Sequence, residues 1–128
     1  MNERIKNILL GLMLGDGHFT PPSGRSKTSA LDMKTDDKCL SYLEWLHREL
    51  TPLGVSKLKP KKNYHQHRFY TKRSHDIWKL RVLFYPRGKK TIPSEISSLL
   101  VSPLTLAVWY QDDGTLDFRE KYHYNALF

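Results

Sequence analysis

The sequence predicts an α+β fold: an αββαββα unit with an antiparallel sheet, followed by the first helix of a second, incomplete repeat. Two observations carry this. Apolar spacing switches between a helical period near 3.6 and a strand period of 2, in the order helix, two strands, helix, two strands, helix. A segment resembling the first helix then returns near the end. Residues 9–17 read LLGLMLGDG and residues 106–114 read LAVWYQDDG, so both are apolar runs that reach a carboxylate and stop at glycine.

The elements follow in order. Ile5, Ile8, Leu9, Leu12 and Met13 recur at helical spacing, and Leu10 and Leu14 widen the stripe until the helix must be buried. Gly11 and Gly15 share one face, where the missing side chains admit a second backbone. His18-Phe19-Thr20 begins a strand, broken at Pro21-Pro22-Ser23-Gly24. The alternation of Leu31 and Met33 with Asp32 and Lys34 gives its hairpin partner, with Arg25 and Lys27 in a basic tip. Asp36 and Asp37 open a helix striped by Leu40, Leu43, Leu46 and Leu50. Strands are expected over residues 57–62 and 65–72, with Phe69 inward and Gln66, Arg68, Tyr70 and Lys72 outward. Ser74 caps a helix carrying Ile77, Leu80 and Phe84, Pro93 opens a short helix, and Ser102-Pro103 starts the second motif helix. Trp45, Trp78 and Trp109 fall on helical runs and are read as core. Two domains are expected, a lobe over 1–101 and the start of a second over 102–128.

Net charge is +8, which points to an anionic partner. Residues 57–90 hold twelve Lys/Arg against one acid, Asp76, so the remainder is acidic on balance. A segment this one-sided repels itself unless it faces phosphates. The single Cys39 excludes an internal disulfide and a four-cysteine zinc site. His65 and His67 lack a third nearby ligand and are read as sheet-surface polar groups. No apolar run is long enough to span a membrane, and no signal peptide is read at the N-terminus. An intracellular setting is expected, in an organelle or in a bacterial or phage host.

A helix C-terminus carries partial negative charge, so an aspartate delivered there is electrostatically misplaced. If the two motif helices pack together, Asp16 and Asp113 converge, and such a pair favours a divalent cation.

These two motifs resemble those of the LAGLIDADG homing endonuclease family. Lys89-Lys90-Thr91-Ile92-Pro93 and Ser102-Pro103-Leu104 resemble the connection in its two-motif, organelle intron-encoded members. The resemblance implies a sheet saddled on double-stranded DNA and two motif helices at a pseudo-twofold axis. It implies strand cleavage with divalent metal at Asp16 and Asp113: Mg²⁺ or Mn²⁺, with Ca²⁺ able to fill the site without supporting cleavage. Lys90 matches a basic residue near the scissile phosphates, with Lys89 behind it. Thr35 stands where the family often has a polar strand residue, frequently Gln. Val108 and Asp112 replace the glycines of the first motif, which assigns close helix contact to Gly11, Gly15 and Ala107.

Arg25, Lys27, Lys34, Lys57, Lys59, Lys61, Lys62, Gln66, Arg68, Lys72 and Arg73 make up the expected DNA face. Gln66 suits an adenine edge and Arg68 a guanine edge, while the lysines suit phosphates. The reading is a site-specific double-strand DNA endonuclease or its N-terminal half. A complementary C-terminal half-chain or a homodimer partner would complete it. The alternative is a non-cleaving nucleic-acid-binding module such as an intron maturase or degenerate relative. A transcriptional regulator on the same fold is a third reading.

Overall fold

A computed structural model describes residues 1–15, 17–22, 24–61, 65–99 and 102–111. Helix α1 (Glu3–Leu14) is capped by Asn2, whose side-chain oxygen accepts from the Ile5 amide at 2.8 Å. Ile5, Ile8, Leu9, Leu10, Leu12 and Met13 are all buried, as expected of a helix apolar over most of its circumference. Strand β1 (His18–Phe19) pairs antiparallel with β2 (Leu31–Asp36), in the register His18 opposite Asp32. Helix α2 (Leu40–Glu49) follows a 3₁₀ turn at Asp37–Cys39. Strands β3 (Lys59–Lys61) and β4 (Gln66–Tyr70), then helix α3 (His75–Phe84), complete the unit. Ser74 caps α3 by accepting from the Ile77 amide, and the short α4 (Ile96–Leu99) leads to α5, residues 103–111.

The sheet has strand order β1-β2-β4-β3, with every neighbouring pair antiparallel. Its inner face supplies Phe19, Leu31, Met33 and Phe69 to one core, which takes Leu43, Leu46 and Leu50 from the α2 segment and Ile77, Leu80 and Phe84 from α3. Each such side chain contributes roughly 1.5–3 kcal/mol on burial. Apolar and polar residues alternate along β2 and β4, so the other face is left open, with Lys34, Arg68 and Tyr70 exposed on it.

Three differences from the sequence reading have local causes. Strand β3 begins at Lys59 rather than at residue 57, and Pro60 sits within it on the sheet edge, where a proline adds no ladder donor. Before it, the Ser56 hydroxyl accepts from the Tyr70 amide at 3.0 Å, a bond the strand carbonyl would otherwise make. Asp36 makes no side-chain cap bond, so α2 opens through the 3₁₀ turn. Trp45, Trp78 and Trp109 are half-buried rather than core residues, with Trp45 stacked on Tyr42 and Trp78 on His75. The strands expected within 115–128 lie outside the described residues.

Candidate functional site

Two regions bear on function, the seam between α1 and α5 and the open face of the sheet. At the seam a Cβ built on Gly11 would lie 2.7 Å from the Thr105 carbonyl oxygen and 2.7 Å from Val108 Cβ. No side chain fits that space, which is why glycine stands there. Thr105 and Val108 are buried, and the Thr105 hydroxyl donates to the Asn7 carbonyl at 2.9 Å. Ala107, expected at this contact, is exposed instead. The face of α5 turned to α1 is set by Thr105 and Val108, three residues apart, and position 107 falls beside that stripe. The contacts advance together, Asn7 with Thr105 and then Gly11 with Val108, so the helices run side by side in the same direction.

At the end of α1, the Gly15 amide donates to the Gly11 carbonyl and the Gly17 amide to the Leu12 carbonyl. Lys90 Nζ donates to the Gly15 carbonyl oxygen at 2.6 Å, which brings an ammonium to the negative end of the helix. The linker carrying it is held by the Thr91 amide, which donates to the Phe84 carbonyl. Asp16, Asp112, Asp113 and Lys62 lie outside the described residues. Among the described residues no cluster of three or more His, Cys, Asp or Glu side chains is arranged to hold a metal.

On the open face, Lys34 of β2 and Lys59 of β3 stand directly opposite Arg68 of β4, on its two sides. Like charges directly opposite one another destabilise a sheet. A row of three cations therefore costs stability and suits an anionic ligand. Gln66 is half-buried between Asp36 and Lys61 in the same register. Asp32, diagonal to Arg68, accepts from its Nε and Nη2 at 3.1 Å each. Thr35 has its hydroxyl oxygen buried with no partner among the described residues.

Of the other members of the expected DNA face, Arg25, Lys27, Lys57, Lys72 and Arg73 are exposed and Lys61 is half-buried. Arg73 donates four hydrogen bonds inward, to the Thr28 and Thr20 hydroxyls and to the Pro21 and Thr28 carbonyls. With four of its five N–H groups so used, Arg73 pins the β1–β2 loop. Lys27 Nζ lies 5.8 Å from the centre of the Trp78 ring, and the His75 ring bonds the Lys27 carbonyl. The aliphatic stem of Lys72 lies over Gly54, whose φ of +80° only glycine adopts freely. His67 Nδ1 lies 2.6 Å from Asp37 Oδ1. Asp32 and the Lys90 contact with Gly15 had no local signal in the sequence, because both depend on pairing across distant segments.

A basic antiparallel sheet thus stands beside a glycine-tight pair of helices, an arrangement suited to an anionic ligand. Residues 6–126 match the family model described as LAGLIDADG DNA endonuclease family, and the chain belongs to that family. The homing endonuclease I-WcaI, solved bound to its DNA recognition sequence, shares the fold with a TM-score of 0.72 and 25% identity. That match covers 88% of this chain and 51% of the I-WcaI chain. The cytochrome b mRNA maturase bI2 of Saccharomyces cerevisiae is 28% identical over 89% of this chain and 30% of its own length. Protein RecA of Mycolicibacterium flavescens is 31% identical over 94% of this chain and 28% of its own length. The chain thus spans less than a third of these two relatives and about half of the endonuclease. No helix among the described residues is long and apolar enough to cross a membrane.

Proposed function

We propose that this chain supplies one DNA-binding lobe and the paired motif helices of a metal-dependent, site-specific double-strand DNA endonuclease. One observation carries the reading. Asn7 meets Thr105, and Gly11 meets both Thr105 and Val108, so the helices run in step, and the motif alignment that sets Gly11 against Val108 also sets Asp16 against Asp113.

The residues fit the metal. Two aspartates give hard carboxylate oxygens, and Mg²⁺ commonly takes one or two of these and completes its octahedron with water and phosphate. Bound there, the ion supplies charge neutralisation and an activated water for phosphodiester hydrolysis. The chain's own residues do the rest. Asp16 and Asp113 would hold the ion beside the scissile phosphates. Lys90, held by the Gly15 carbonyl beside Asp16, places a positive charge where the phosphate gains negative charge in the transition state. The row of Lys34, Arg68 and Lys59 binds backbone and bases across the sheet.

A second lobe completes the site, from a complementary polypeptide or, as the second choice, another copy of this chain. Helix α5 turns Thr105 and Val108 inward but leaves Leu106 45% and Tyr110 78% exposed, an apolar face suited to a covering partner. An intracellular setting, in an organelle or in a bacterial or phage host, goes with this reading.

The test is binding and cleavage of duplex DNA in parallel. If about six phosphates are contacted, log affinity falls against log salt with a slope of about −5. With Mg²⁺ the assembled protein linearises a plasmid bearing its site, while Asp16→Asn and Asp113→Asn bind and do not cut. A flat salt response overturns the nucleic-acid reading. The maturase relatives favour one second reading, a non-cleaving RNA binder. RNA binding that survives both substitutions, with no DNA cut, would establish it.

A further inference from the structure

We infer that Asp32 determines base specificity by orienting Arg68 to read a guanine in the major groove. The inference rests on the DNA-binding reading of the sheet and adds a residue that reading does not contain. A guanidinium has two hydrogen-bonding edges, one formed by Nε and Nη2 and one by Nη1 and Nη2. Asp32 occupies the first edge, with Oδ1 on Nε and Oδ2 on Nη2, both at 3.1 Å. The second edge keeps a parallel pair of N–H groups with no partner among the described residues. That pair matches the O6 and N7 acceptors of guanine, which no other base presents together.

Stability does not account for the pair. Asp32 and Arg68 keep 26% and 47% of their side-chain surface in water, and exposed ion pairs contribute little. Position argues for recognition. Arg68 lies in the row between Lys34 and Lys59, at the middle of the open face, and Tyr70 stands exposed directly opposite Asp32. An unpaired carboxylate on this face would repel phosphate, whereas one joined to Arg68 stiffens it in advance and lowers the ordering cost of binding. The groove geometry selects duplex DNA over duplex RNA, whose deep, narrow major groove excludes such a side chain.

The test is binding-site selection from a randomised duplex library. It uses the full chain in its DNA-binding assembly as wild type, Asp32→Ala, Asp32→Asn and Arg68→Ala, with thermal melting of each variant. The wild type should select guanine at one position. Asp32→Ala should relax that preference about tenfold while other positions hold, Asp32→Asn should relax it less, and Arg68→Ala should abolish it. A purely structural role would weaken all positions equally and lower the melting temperature. Several results overturn the inference alone: an unchanged base profile in Asp32→Ala, a uniform loss in Arg68→Ala with a shallower salt slope, or loss of a cytosine preference with guanine intact. Failure of the wild type to select any duplex overturns the DNA reading and this inference together.

Discussion

The open sheet face and the α1–α5 seam solve opposite problems with the same chain. The face holds Lys34, Arg68 and Lys59 in one row, at a cost in self-repulsion, and leaves them in water. The seam removes side chains until a carbonyl and a valine reach Gly11, and keeps water out. Binding surfaces tolerate repulsion because the ligand relieves it, whereas a seam packed against a glycine is fixed before any ligand arrives. Substitutions at the seam should therefore change catalysis or folding, and substitutions on the face should change affinity and sequence preference.

The largest expected effect falls at the end of the seam. Lys90→Ala should lower the cleavage rate by about 10²–10³-fold with DNA affinity nearly unchanged, as when one group stabilising transition-state charge is lost. Single-turnover cleavage on pre-bound DNA measures it. Gly11→Ala forces a methyl against the Thr105 carbonyl and Val108, and should destabilise the fold by about 1–3 kcal/mol. Denaturant unfolding reads that loss, and equal loss from Ala107→Val would blur the distinction between a tight contact and an exposed position. Arg73→Ala releases the β1–β2 loop and should cost about 1 kcal/mol, with faster proteolysis near Arg25 and Lys27. Unchanged stability with uniformly weaker DNA binding would instead make Arg73 a DNA contact.

The smallest effect is at the surface. The Arg4 guanidinium bonds Glu49 and holds its carboxyl below the ordinary glutamate range. A lowered folded-state pKa gives stability that is present above the unfolded value and fades as pH falls through the folded one. Wild type should therefore lose a small increment in acid that Glu49→Gln never has, seen as melting curves that converge below about pH 4.

Periodicity is a local code, and what it specifies was legible: the buried stripe of α1, the alternation of β2, the inward Phe69 and the serine caps of α3 and α5. The inner and outer faces of the sheet followed from the same alternation. What it could not specify is pairing across distant segments. Whether Ala107 or Val108 meets Gly11 depends on the rotation of α5, fixed by the Thr105 bond to Asn7, 98 residues away. Arg73 reads as one more cation until the loop around Thr28 folds onto it. Asp32 looks like the polar half of a strand until β4 pairs beside it. Pro60 was visible in the sequence, but its effect on β3 depends on that strand lying at the edge.

The central claim is that Asp16 and Asp113 serve one metal site at the end of the seam. Electron paramagnetic resonance of Mn²⁺ bound to the DNA-loaded assembly tests it directly, in wild type, Asp16→Asn and Asp113→Asn. Each single substitution should remove the same protein-dependent Mn²⁺ signal while the DNA stays bound. Full Mn²⁺ occupancy in both variants, or loss of a different signal in each, would contradict a shared site.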